Sequence, residues 1–379
     1  MDGPAFGPFI DHHCHGVVLD ALDRAGFEAL MSESHRPAGP HCGSQFDKPL
    51  GLAIRRWCAP ILDLEPFAAP EAYLARRRAL GAEEANRRLL RAAGVSAMLI
   101  DTGHRAAEIA EPERMAVLSG APCREVVRIE AVMEEAARTA SDGAGLLDAF
   151  DARLAERMDG AVGLKSIIAY RATFDLDQTD PPEAEARDAA DAWLAAIARE
   201  GWRRLESPAL LRRALFRAIE GCAPRRLPLQ LHVGFGDRDI AMPRCDPTLF
   251  APFIEAAEAR DVPVTLLHCH PFEREAGWMA EVWSNVFLDV GAVLNFAGPS
   301  AARVLADSMT LAPFYKQLYS SDAFGLAELH ALGRIQFERA FGRVTDGWIA
   351  SGDATAAEID RLAAAIAHGN ARRIYPDAP

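Results

Sequence analysis

The chemistry of this chain starts with residues 9–16, an apolar run that ends in the pattern Asp-x-His-x-His, formed by Asp11, His13 and His15. Successive residues of a strand point to opposite faces, so these three side chains share one face. Two imidazoles about 7 Å apart at a strand end can converge on one metal ion. Asp11 is expected to lie behind them as a hydrogen-bond acceptor. The pattern predicts a metal site, and a histidine-rich loop without metal is the alternative.

Further side chains of types that can bind metals stand at or near the ends of later apolar runs. They are Lys165, His232, His268 and Asp322. Together with His13 and His15, this set contains four of the 11 histidines of the chain. A single histidine at a strand end is more often a core residue with satisfied hydrogen bonds. The whole set, by contrast, indicates one metal-dependent site.

Eight apolar runs, which alternate with helical patterns, would position these residues. The predicted strands are 9–16, 95–102, 125–133, 161–169, 228–233, 262–268, 285–290 and 316–322. The predicted helices are 18–32, 49–58, 71–93, 109–120, 145–158, 182–200, 208–220, 249–260, 274–284, 300–311, 325–341 and 354–374. This order favours an α/β fold, a closed (β/α)₈ TIM barrel, whose active site forms at the C-terminal ends of the strands. An open doubly wound sheet would usually carry a glycine-rich phosphate turn after its first strand, and none is present.

Length and composition agree with one large barrel over residues 1–379, in which residues 17–70 form a helical insertion over the mouth. The net charge of −13 argues against nucleic acid or an anionic membrane as a partner. Seven scattered cysteines without a Cys-x-x-Cys pair suggest neither a disulfide framework nor a structural zinc site. No signal peptide or long apolar span is visible, so a cytoplasmic location is expected.

Several runs resemble the amidohydrolase superfamily of metal-dependent hydrolases. The resemblance rests on the Asp-x-His-x-His pattern of strand 1, on the single histidines of strands 5 and 6, and on Ser321-Asp322 at strand 8. The ending IAHGNARRIY is similar to that of the second amidohydrolase group. Within this group the runs GLKSIIAYR, QLHVGFGD and LLH resemble the fluG-type and nodulin-type branch, which occurs alone or fused to glutamine-synthetase-like domains. In the order named here, IAHGNARRIY, GLKSIIAYR, QLHVGFGD and LLH span residues 366–375, 163–171, 230–237 and 266–268.

The resemblance implies one or two divalent metal ions, with Zn²⁺ the first candidate and Mn²⁺ or Fe²⁺ also suited to the ligands. The implied ligands are His13, His15, Lys165, His232, His268 and Asp322. Asp322 would act as the general acid and base, and His268 would bind metal or polarise the substrate. Lys165 would bridge two metals as a carbamate, or would bind a substrate carboxylate beside a single metal.

The implied reaction is hydrolysis of a C–N bond, an amide or γ-glutamyl-like linkage, in a small carboxylate-bearing molecule. Candidate substrate-binding residues are Tyr170, Arg171, Asp237 and His270, the last as a substitute for His268. A one-metal decarboxylase or isomerase is the alternative enzyme, and a non-enzymatic signalling barrel is the third hypothesis. A homo-oligomer is expected at the level of the superfamily only.

Overall fold

Seven parallel strands, hydrogen-bonded in sequential order, form the sheet of the computed structural model, which describes residues 3–375. Their apolar residues are buried on both faces, as expected for a parallel sheet covered by helices. The strands are β1 Phe9–Cys14, β2 Val95–Asp101, β3 Cys123–Arg128, β4 Gly163–Ser166, β5 Leu229–His232, β6 Val264–Leu267 and β7 Val286–Leu288. The order confirms the predicted α/β barrel class.

Helices follow every strand. The α-helices are α1 Arg24–Ala29, α2 Pro49–Ala53, α3 Ala59–Ile61, α4 Pro70–Leu80, α5 Ala82–Ala93, α6 Pro112–Ser119, α7 Ile129–Ala137, α8 Gly143–Met158, α9 Ile168–Arg171, α10 Glu183–Glu200, α11 Pro208–Arg225, α12 Ala251–Glu258, α13 Glu273–Val282, α14 Val293–Ala297, α15 Ala301–Ser308, α16 Ala327–Ser351, α17 Ala356–Ala364 and α18 Asn370–Ile374. Short π-helices span Ile54–Cys58 and Ala365–Gly369, and 3₁₀ turns span Gln45–Asp47, Met242–Arg244, Pro247–Phe250, Gly298–Ser300 and Phe314–Lys316. Among residues 3–375, no helix is long and apolar enough to cross a bilayer.

The predicted eighth strand is wrong as a regular strand, although its segment does close the barrel. Residues 317–322 lie between β7 and β1. The backbone N–H of Leu318 donates to the carbonyl of Leu288 at 2.9 Å, and that of His12 donates to the carbonyl of Tyr319 at 3.2 Å. Only scattered hydrogen bonds form on each side, so the closure lacks the ladder that defines a strand.

Three other predicted elements are corrected. The helix predicted over 71–93 is two helices, because Gly81 adopts a positive φ of 81° between them. The strand predicted over 125–133 ends at Arg128, and α7 starts at the next residue. The helix predicted over 18–32 is reduced to α1, which Asp23 caps by accepting a hydrogen bond from the Gly26 N–H.

The N-terminal end of the barrel is filled by side chains from both ends of the described chain. One buried cluster joins residues of β1, β2 and β3 to the last helix, α18, and the residue after it. Its members are Ile10, Ala97, Leu99, Val126, Val162, Phe287, Leu318, Ala371, Ile374 and Tyr375. The barrel is therefore packed at this end, and its open space lies at the C-terminal ends of the strands.

The segment 17–70 packs beside β1 and β2 and reaches the C-terminal end of the barrel. Phe27, Phe46 and Leu50 are buried in a cluster with residues of β1, β2 and α16. The loop that follows α1 continues to the edge of the cavity described below. This burial fixes the segment against the barrel wall and places its loop over the opening.

Candidate metal centre

The C-terminal ends of the strands open into a cavity of about 870 Å³. Nine of the ten residues proposed for the site line this cavity. They are His13, His15, Lys165, Tyr170, Arg171, His232, Asp237, His268 and Asp322. His270 is not among the lining residues; its Nδ1 lies 2.6 Å from Glu273 Oε1 on α13. The chain turns away after His268, which has a φ of +69°, so the two histidines do not share a face.

Asp322 lies at the centre of three histidines. Its Oδ1 is 3.1 Å from His13 Nε2 and 3.6 Å from His15 Nε2, and its Oδ2 is 3.2 Å from His268 Nδ1. One ligand atom each from His13, His15 and Asp322 fall within 4.8 Å of one another. The ring of His232 lies next to that of His268, and the two ring centroids are 4.6 Å apart. Strands β1, β5 and β6 and the closing segment thus deliver one compact set.

The tautomer of His13 is fixed by Gln230 of β5. The amide nitrogen of Gln230 donates to the carbonyl of His12 at 2.8 Å, which settles the orientation of the amide. Its Oε1 therefore faces His13 and accepts from Nδ1 at 2.7 Å. With the proton on Nδ1, the lone pair of His13 is on Nε2 and points toward Asp322. Such a partner is typical behind a histidine that binds metal.

Asp101, at the end of β2, fixes the tautomer of His15. The Nδ1 of His15 donates to the backbone carbonyl of Asp101 at 3.0 Å, which leaves the Nε2 lone pair toward Asp322. Burial lowers the pKa of His15 to about 3. Burial also lowers the pKa values of His13, His232 and His268, and the charge of Lys165 contributes to each shift. All four imidazoles are consequently neutral, the form that binds metals.

These residues fit a bound cation. Two imidazole lone pairs face one carboxylate, so electron-rich atoms approach each other in a buried site unless a proton or cation lies between them. Within residues 3–375, the buried His232 Nε2 has no hydrogen-bond partner, and His268 Nδ1 has none apart from its approach to Asp322 Oδ2 at 3.2 Å. Buried polar atoms usually have a partner, so the orphaned nitrogen of His232 is a further sign that a ligand belongs here.

Asp11 has a different role from the one predicted. It does not contact His13 or His15; both of its oxygens accept hydrogen bonds from Ser321, at 2.9 Å from N and 2.5 Å from Oγ. Burial raises the pKa of Asp11 to about 7. The next residue, Asp322, has a φ of +46°, which strains the backbone of a non-glycine residue. The Asp11–Ser321 contact therefore holds the segment that presents Asp322.

A second cluster of ligand-type atoms lies next to this contact. Asp11, Cys14 and His330 have side-chain atoms within 4.8 Å of one another and are fully buried. Both oxygens of Asp11 are already bound by Ser321, so the cluster belongs to the packing between β1 and α16.

Lys165 is buried in the cavity wall beside Arg128. The two residues are register partners on β4 and β3, so they face the same side of the sheet. Burial lowers the pKa of Lys165 to about 8, so its ammonium loses a proton more easily than that of an exposed lysine. No ion pair joins Lys165 to a carboxylate in the described part of the chain. Arg128, in contrast, is paired with Asp101, with Nη2 at 2.5 Å from Oδ2.

Tyr170, Arg171 and Asp237 form one wall of the cavity. The Tyr170 hydroxyl accepts from the Asp237 N–H at 3.1 Å, and its ring centroid lies 4.6 Å from that of His232. Arg171 is mostly buried, and its Nη1 lies 3.1 Å from Glu134 Oε1. Asp237 accepts from the backbone N–H of His35 at 3.0 Å, which ties the loop after α1 to this wall.

Arg128 and Gln230 belong to the site without having been predicted from sequence. The strand prediction placed Arg128 in mid-strand, whereas it is the last residue of β3. A correct boundary would have identified it as a strand-end residue. Gln230 offered a weaker signal, as a polar residue between two leucines of β5.

Comparison with known proteins agrees with this geometry. The amidohydrolase family profile matches residues 10–376. The chain belongs to the amidohydrolase family. Members of this family generally use divalent metal ions, and the amidohydrolase fold indicates an enzyme.

Two relatives illustrate the range of sequence similarity. Protein fluG of Emericella nidulans is 32% identical over 222 residues, which cover 56% of this chain and 25% of that protein. The chain therefore spans about a quarter of the length of this curated relative. A protein assigned as a metal-dependent hydrolase from Lactobacillus casei has a TM-score of 0.82 and 26% identity, covering 97% of this chain and 95% of its own.

A more distant structure shares the fold. The uronate isomerase of Bacillus halodurans has a TM-score of 0.61 and 14% identity over 98% of this chain and 94% of its own. This similarity supports the amidohydrolase-type barrel and carries no argument about the reaction.

Proposed function

We propose that this amidohydrolase-family protein hydrolyses a C–N bond, in an amide or γ-glutamyl-like linkage, of a small carboxylate-bearing substrate. The observation that carries the proposal is the set of neutral, oriented imidazoles around Asp322 at the cavity floor. His13, His15 and Asp322 would hold the metal, with Zn²⁺ as first candidate. Their compact geometry favours one ion; a second ion would require Lys165 as a bridging carbamate.

When bound, the divalent ion supplies Lewis acidity, which makes water a stronger acid and a carbonyl carbon more electrophilic. Asp322 takes the proton of the attacking water as the C–O bond forms. It then gives this proton to the leaving nitrogen as the C–N bond breaks. Its side chain is 17% exposed, toward the cavity, so it can contact both groups.

His268, His232 and Tyr170 lie beside Asp322 and would orient the substrate carbonyl. The Tyr170 oxygen already accepts the Asp237 N–H, so its own proton remains to be donated to a substrate oxygen. His232 and His268 are buried, and hydrogen bonds are stronger where less water competes for them.

The charge of the cavity supports an anionic substrate. Seven cationic side chains line it against four acidic ones, although the whole chain carries −13. The cationic residues are Arg36, Arg105, Arg128, Lys165, Arg171, Arg204 and Arg238. Such a local excess attracts carboxylates and raises their concentration at the mouth.

The test starts from protein purified without chelator, with metal content measured per chain. Purified protein is then screened against amides and γ-glutamyl compounds for release of free amine. His232→Ala should abolish turnover while circular dichroism stays unchanged; His41→Ala, on an exposed loop, is the matched control. Full activity of His232→Ala would contradict the site assignment.

A one-metal decarboxylase or isomerase is the second candidate, because the compact trio accounts for one ion only. One metal per chain, unchanged in Lys165→Ala, together with turnover that releases no amine, would favour it. Two metals, reduced in Lys165→Ala, would establish the carbamate-bridged hydrolase.

A further inference from the structure

Arg128 is held at the cavity floor by one edge of its guanidinium. Its Nε and Nη2 both donate to Asp101 Oδ2, at 3.1 Å and 2.5 Å. The other oxygen of Asp101 accepts from the Gly103 N–H at 2.8 Å, so this carboxylate is fully used. Within residues 3–375, Arg128 Nη1 makes no hydrogen bond. Its two N–H groups are therefore uncommitted in a side chain that lines the cavity.

Local packing fixes this orientation. The side chain of Arg128 is only 8% exposed, so it has little freedom to swing into solvent. Its stem lies directly on Gly103, where a Cβ atom would come within 2.4 Å of Arg128 Cβ. Glycine at position 103 is thus required for the guanidinium to reach Asp101 and the cavity together.

Two basic side chains, Arg128 and Lys165, lie next to each other in the wall of the cavity. Lys165 is the register partner of Arg128, and Asp101 is the carboxylate that pairs with Arg128. Asp101 also holds His15 through its backbone carbonyl, at 3.0 Å from Nδ1. One residue thus fixes both Arg128 and a proposed metal ligand, so an anion at Arg128 would lie close to the metal centre.

We propose that Arg128 binds a carboxylate group of the substrate through its free Nη1 edge. This inference rests on the proposed function and names the residue that selects for the anionic group. A guanidinium held on one side presents its remaining N–H groups in a fixed plane, which suits a carboxylate. Arg171 is less suited, since its Nη1 is already shared with Glu134 and the carbonyl of Leu205.

The test measures binding alone, so it remains informative if no substrate is found. Holoenzyme loaded with Zn²⁺ is titrated with acetate, succinate, glutarate and inorganic phosphate by calorimetry. At least one carboxylate should bind saturably, and Arg128→Gln should weaken that binding by about tenfold to a hundredfold. Arg77→Lys is the matched control: Arg77 is 5% exposed and ion-paired with Glu328, but does not line the cavity.

Arg128→Gln leaves the Asp101 carboxylate buried and unpaired, which could prevent folding. A second variant avoids this unpaired charge. Asp101→Asn combined with Arg128→Gln removes both charges together and should show the same loss of binding. Equal carboxylate affinity in wild type and in either Arg128 variant would overturn the proposal. Saturable binding of phosphate without any carboxylate would overturn the ligand class.

A carbamate on Lys165 is a second anionic group that Arg128 could bind, in place of a substrate carboxylate. Labelling with ¹³C-bicarbonate distinguishes the two by nuclear magnetic resonance. A carbamate signal that is lost in Lys165→Ala, in a wild-type protein that binds no added carboxylate, would overturn the proposal. Carboxylate binding to wild type without such a signal would support it.

Discussion

The hydrogen bond between Gln230 and His13 leads to a quantitative prediction about metal affinity. Replacing Gln230 by leucine keeps the side-chain size but removes three buried hydrogen bonds, at 2.7, 2.8 and 2.9 Å. The His13 N–H and the His12 carbonyl are left without partners, whereas Tyr375 keeps its contact with His12. At about 1–3 kcal/mol for each orphaned group, the free energy of unfolding should fall by about 2–6 kcal/mol.

The effect on metal binding should be separate from this loss of stability. Without the amide oxygen, the His13 imidazole is free to rotate and to exchange tautomers. Loss of such a partner typically weakens metal affinity by about 10- to 100-fold. The assay is competition with a chromophoric chelator under native conditions, combined with urea unfolding of the metal-free protein.

Gln317→Leu is the matched control for this experiment. Gln317 is also buried, and its amide nitrogen donates to the carbonyl of Ser308 at 2.8 Å, away from the cavity. This variant should lose stability while keeping the metal affinity of the wild type. If Gln230→Leu were also to bind metal like the wild type, the argument that Gln230 orients His13 as a ligand would be refuted.

Three further predictions concern the same cavity. Gly236→Ala should lower kcat/KM while circular dichroism is unchanged, because the new Cβ would lie 1.9 Å from the Tyr170 hydroxyl oxygen; unchanged kinetics would contradict the placement of that ring. Ser321→Ala should reduce the free energy of unfolding by about 1–3 kcal/mol in urea titrations, since a buried oxygen of Asp11 loses its partner; an unchanged midpoint would count against the contact. Removing metal with a chelator should lower Tm in differential scanning fluorimetry, because the ion binds the folded state; an identical Tm would argue against a metal centre.

The strand-end positions of the site could be predicted because they depend on local pattern. An apolar run followed by a histidine or aspartate marks the C-terminal end of a barrel strand, and His232 illustrates this directly. The same rule found Asp322, although its segment forms no regular strand. The rule worked there because the segment still lies between β7 and β1 and so reaches the same end of the barrel.

The partners of these residues could not be predicted, because they come from distant parts of the sequence. Nothing near Asp11 indicates that it binds Ser321, which lies 310 positions away. Arg128 was hidden by a boundary error, since the apolar residues of α7 begin directly after it at Ile129. Both cases depend on tertiary packing, which local periodicity does not encode.

The hydrogen bond between Tyr375 and His12 has a consequence for how the protein is made. The two residues are 363 positions apart, yet their side chains meet under the barrel at 2.9 Å, and Tyr375 also accepts from Gln230. A ribosome releases the histidines of β1 first and Tyr375 after nearly all the described residues. The support behind His12 and Gln230 is therefore incomplete until Tyr375 has been made. Nascent chains stalled before Tyr375 should hold metal less firmly than chains that include it, which places assembly of the centre after synthesis of residue 375.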